Sequence, residues 1–87
     1  MTLKEWNQLH DKIQILFNQM EEQQRGKTVR IANRFRPDLS EDDLRDPHSF
    51  PDVTARPEFA FEDGILAGII SSQQAILTEL RAIKPES

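Results

Sequence analysis

Cysteine is absent from the chain, which excludes disulfides, thiolate metal sites and cysteine nucleophiles together and makes a reducing compartment, the cytoplasm, the expected setting. Histidine is nearly absent: His10 and His48 stand alone, with no second imidazole at metal-binding spacing. Glycine is scarce, at three residues, and no glycine-rich phosphate loop, nucleophile elbow or zinc spacing occurs. No cofactor is therefore expected, and no enzyme. A long hydrophobic run is missing too. The longest uncharged stretch, residues 64–78, has 15 positions and includes Ser71, Ser72, Gln73 and Gln74, too short and too polar to cross a bilayer. The opening residues Met1 to Trp6 are charged and lack the apolar core and small-residue cleavage site of a secretory signal.

What remains is 87 residues, 37% hydrophobic and 30% charged with a net charge of -4, enough for one ordered domain and no more. The charge is segregated. Residues 1–24 sum to -2, 25–36 to +5, 37–63 to -7 and 64–87 to zero. Four of the five prolines, Pro37, Pro47, Pro51 and Pro57, fall in the middle third, so the reading is two long helices joined by a proline-rich connector at about 36–56.

At ~100° per residue, Leu3, Trp6, His10, Ile13, Phe17, Met20, Gln24, Thr28, Ile31 and Phe35 fall in a single stripe, which predicts a first helix from about residue 2 to 35. Thr2 with Glu5 three residues on is a capping-box signature, and Pro37 is the stop. Gly26 lies opposite the stripe, so the helix is expected to pass through it, with a short break there as the lesser alternative. Leu9 and Leu16 widen the stripe on one edge, as suits a helix with more than one neighbour. Inside the stripe, His10 reads as a hydrogen-bonded residue of the core edge and Gln24 as a polar residue that sets register.

The connector carries a Ser40-x-x-Asp43 start signal, predicting one helical turn at 41–45, ended by Asp46-Pro47, after which residues 48–53 read as extended chain. Leu39, Leu44, Phe50 and Val53 are its expected anchors. Its carboxylates, from Asp38 to Asp46, lack the alternating oxygens and central glycine of a calcium loop, so no metal is assigned to them.

Pro57 suits a first helical position, and a second helix is predicted at 57–84. One side of it is aliphatic, with Ile65, Leu66, Ile69, Ile70, Ile76, Leu77, Leu80 and Ile83. The other side is small: Gly64, Ala67, Gly68, Ser71, Ser72 and Ala75. A helix uncharged for four turns calls for cover nearly all round, which one partner helix cannot give. The expected architecture is therefore all-α, a long antiparallel helical hairpin dimerising into a four-helix bundle with those six small residues at the dimer interface.

Three partner-binding surfaces are candidates: the end of the first helix at Trp6, a residue read first as core or interface, the acidic connector, and the basic ridge Lys27, Arg30 and Arg34, which could take another protein or, as the alternative, nucleic acid. The acidic connector is expected to fold back over the ridge, and its position separates the two readings: over the ridge it blocks phosphate, away from it the ridge is open. The leading expectation is a non-catalytic protein–protein interaction module, a small adaptor or regulator acting as a homodimer. A nucleic-acid-binding regulator is the alternative, opposed by the chain's net negative charge, and no membrane partner is expected.

Overall fold

The computed structural model describes residues 1–86, which form an all-helical hairpin 52 Å long and about 17 Å across. Helix α1 spans Leu3–Asn33 without interruption at Gly26, and α3 spans Pro57–Ala82 and packs against it. Between them lie two 3-10 turns, Asp43–Arg45 and Pro47–Ser49, and the one-turn helix α2, Pro51–Thr54.

The α1 start is a full capping box. Thr2 Oγ1 accepts from the Glu5 backbone N–H, and the Glu5 carboxylate accepts from the Thr2 N–H, satisfying two of the donors a helix start leaves free. The helix stops at Asn33, whose side-chain amide donates to the Arg36 and Leu39 carbonyls and so bends the chain across the helix end.

The turn expected at 41–45 is present as Asp43–Arg45, with Ser40 Oγ accepting from the Asp43 N–H and the Asp43 carboxylate accepting from the Ser40 N–H. Residues 48–53 are not extended as expected. Pro47 and Pro51 each open a helical turn instead of closing one, because a ring-locked φ suits the first helical position, where no N–H is needed.

Two separate cores hold the hairpin. At the connector end Ala32, Leu39, Leu44, Val53 and Phe59 are buried together, with Phe35 and Phe50 half-buried against them. At the open end Trp6, Leu77 and Leu80 form the second cluster. Between them no α1 residue from 7 to 23 is buried, and none of α3 from 67 to 76. The aliphatic side of α3 is accordingly split. Leu66, Leu77 and Leu80 face α1, whereas Ile65, Ile76 and Ile83 are exposed, since an arc that wide exceeds what one neighbouring helix covers.

Phe59, 1% exposed at the base of the connector core, is predicted to lose about 3 to 5 kcal/mol of stability on truncation to alanine, and half-buried Phe50 clearly less. Urea denaturation of the two variants checks the order; equal losses would place Phe50 in the core.

Candidate functional site

Trp6 sits in the first turn of α1, where the capping box aims the stripe at α3. Its ring is 4% exposed, stacks on His10 at 4.9 Å, and donates its indole N–H to the Leu80 carbonyl at 2.8 Å. Lys84 Nζ lies 4.9 Å from the ring centroid on the tryptophan side of the open end. A tryptophan so enclosed clamps the two helices; the chain itself occupies the surface it would have offered to a partner.

Gln24 is buried about two-thirds of the way along α1 and donates from Nε2 to both the backbone carbonyl and the carboxylate of Glu62. With Trp6–Leu80 and the Gln73–Asn18 side-chain bond, it fixes the antiparallel register of α1 and α3 at three levels.

The basic ridge differs from its expected state. Lys27, Arg30 and Arg34 are all exposed, and among the described residues no carboxylate lies within salt-bridge distance of any of them. The connector's acids are engaged elsewhere. Arg36 binds Asp38 through two nitrogens at 3.0 Å and reaches Asp52 at 2.7 Å, while Arg45 holds Glu41 and Asp42 at 3.6 and 3.5 Å. Arg25, also in the basic block, pairs with Glu21 one turn back in α1. The connector thus folds back along another side of α1, where Glu41 and Arg45 border Asn18, Glu21 and Arg25, and the expectation that it covers the ridge is overturned. A shallow groove lined by Lys27, Arg30, Ile31, Arg34 and Glu62 runs along the ridge instead.

The small side of α3 points away from α1. Gly64, Ala67, Gly68, Ser71, Ser72 and Ala75 are all exposed, and a Cβ built on Gly64 or Gly68 meets nothing within 4 Å. A second surface is apolar and draws on both helices. On α1, Leu9, Leu16 and Met20 lie on a line displaced by roughly 70° from the contact line of Trp6, Phe17 and Gln24, with half-buried Ile13 between the two lines and packed on the Trp6 cluster. On α3, Ile65, Ile69, Ile76 and Ile83 are displaced by roughly the same angle, in the same sense, from Leu66, Leu77 and Leu80. Because the helices are antiparallel, equal displacements bring both lines to one side of the hairpin. Leu16, at 54% exposed, and Ile83, at 66%, show how little covers it. The signal was in the sequence, in the edge formed by Leu9 and Leu16 and in the excess width of the α3 arc.

Comparison with protein-family models, characterised proteins and solved structures finds no match. Among the described residues no cluster of three or more metal-ligating side chains occurs, and no helix is long and apolar enough to cross a membrane.

The Arg36 cluster has a pH signature. Hydrogen bonds from Arg36 hold the Asp38 and Asp52 carboxyls below their ordinary value, and the guanidinium is itself raised by the same two partners. Folded-state values below the unfolded ones mean stability that is present above about pH 4 and lost as the pH falls through the lowered values. Acid titration of the unfolding midpoint should therefore show a decline below about pH 4 that is shallower in Arg36→Gln; identical curves would show that the pairs add nothing to folding.

Proposed function

We propose that this chain is a non-catalytic protein–protein interaction module, a small adaptor or regulator, that works as a helical homodimer in the cytoplasm. The observation that carries the reading is the uncovered apolar side of the hairpin, to which both helices contribute and which leaves the middle of the molecule without a core. Exposed apolar surface of that continuity marks an interaction site in a water-exposed chain. A second hairpin would complete a four-helix bundle, and the small side of α3 adds a further surface on which a helix could approach closely. The proposed chemistry is burial and charge pairing with protein; nothing in it requires a cofactor.

The alternative reading, a nucleic-acid-binding regulator, is favoured by one observation, the open ridge of Lys27, Arg30 and Arg34. Against it, three aligned cations supply few phosphate contacts, and the chain's net charge of -4 opposes a polyanion.

Light scattering over a concentration series should give twice the 10.1 kDa chain mass at micromolar concentration. A mass of one chain at high micromolar concentration removes the homodimer. Fluorescence anisotropy with mixed-sequence duplex and single strands should show no binding at physiological salt; micromolar binding that weakens steeply with salt and is lost when Lys27, Arg30 and Arg34 are all changed to alanine would promote the alternative.

A further inference from the structure

The basic ridge and the apolar line of α1 are one line. Positions 9, 13, 16, 20, 23, 27, 30 and 34 alternate steps of four and three, the spacing of a helix seam, and their residues are apolar from Leu9 to Met20 and cationic from Lys27 to Arg34. On α3 the same alternation runs through positions 58, 62, 65, 69, 72, 76, 79 and 83, and it begins acidic, with Glu58 and Glu62, before turning to Ile65, Ile69, Ile76 and Ile83. Both seams lie on the uncovered side of the hairpin apart from Ile13, which packs on the Trp6 cluster, and Glu62, whose carboxylate accepts from buried Gln24. The Trp6–Leu80, Asn18–Gln73 and Gln24–Glu62 bonds fix their mutual level: Arg30 lies within a turn of Glu58, Lys27 of Glu62, Leu16 of Ser72 and Ile13 of Ile76. Yet within the chain neither glutamate forms an ion pair with the ridge, because α1 and α3 meet along other lines.

We infer that the occupant of this side is a second copy of the chain, related by a two-fold axis along the hairpin's length, so that α1 lies antiparallel to α3 of the partner. The inference rests on the homodimer reading and specifies its geometry. An axis along the length keeps every residue at its own level, so Arg30 meets Glu58 of the partner subunit and Lys27 lies level with Glu62 of the partner subunit, whose carboxylate already accepts from its own Gln24, while the aliphatic halves of the two seams meet each other. Glu79 of the partner subunit, opposite Leu9, is the one carboxylate set against an aliphatic side chain. A two-fold crossing the length instead stacks α1 on α1 and carries the cations to the partner's amino-terminal turn, where the one carboxylate on the seam side, Glu5, already accepts from the Thr2 N–H in its capping box. The size fits as well. A face 52 by 17 Å is about 900 Å² in projection, close to the ~800 Å² per partner of a standard stable interface.

The test combines charge exchange with cross-linking. Arg30→Glu and Glu58→Arg should each weaken the dimer by about tenfold or more through like-charge contact, and the two changes together, in one chain or in a mixture of the two variants, should restore it. In a chain free of cysteine, Leu16→Cys chains mixed with Ser72→Cys chains should form a disulfide between unlike chains and little between like ones. A Leu16→Cys chain that oxidises to itself would establish the crosswise two-fold and overturn the inference. So would a wild-type dimer that survives both single charge reversals but dissociates with Gly68→Leu, which would put the interface on the small side of α3. A monomeric wild type would instead defeat the homodimer reading itself.

Discussion

A helix in a two-helix hairpin has one neighbour, and one neighbour covers one stripe. The sequence of α1 and α3 carries more apolar residues than that stripe can hold, and the architecture follows from the mismatch. Residues on the contact line, Trp6, Gln24, Leu66, Leu77 and Leu80, are buried. Residues a fifth of a turn away, Leu16, Met20, Ile65 and Ile76, are left in water although they are no less hydrophobic. The hydrophobic effect is proportional to the area removed from water, so these side chains contribute little to the isolated hairpin and become useful only when something lies over them.

Specific polar contacts do what the missing central core cannot. The indole of Trp6 on the Leu80 carbonyl closes the open end, and the Gln24 amide holds α3 from inside the helix contact. Sliding one helix past the other by a turn would leave a buried amide without its acceptors, a cost of about 1 to 3 kcal/mol that a purely aliphatic seam would not impose. At the connector end Arg36 performs a related task in water, gathering Asp38 and Asp52 and stacking 5.7 Å over Phe50, and in doing so it withdraws those carboxylates from the ridge.

Periodicity made the two long helices legible, and the Thr2–Glu5 box and Pro57 marked their starts to within a residue or two. The core was only partly so. A helical wheel shows that Ile65 and Leu66 both belong to an apolar arc but not which of them the neighbour will choose, since that depends on the rotation of the partner helix. The connector misled for a local reason: Pro47 and Pro51 stop a helix that precedes them and start one that follows, and residues 48–53 gave no pattern to distinguish the two. The ridge misled for a long-range one. Segment totals of +5 and -7 say that cations and carboxylates are close along the chain, whereas Arg36 and Arg45, which lie in the connector itself, take those carboxylates first.

Having two cores at opposite ends also gives the molecule an order of assembly. The connector cluster joins residues 32 to 59, while the terminal one must bring together residues 6 and 80. Loop closure costs more entropy the longer the loop, so the connector cluster is the natural nucleus and the helices zip from it toward the open end, with the tryptophan clamp closing last. The same sequence in reverse makes the termini the first part to fray, and φ-values near one at Val53 and near zero at Leu80 would be its kinetic imprint.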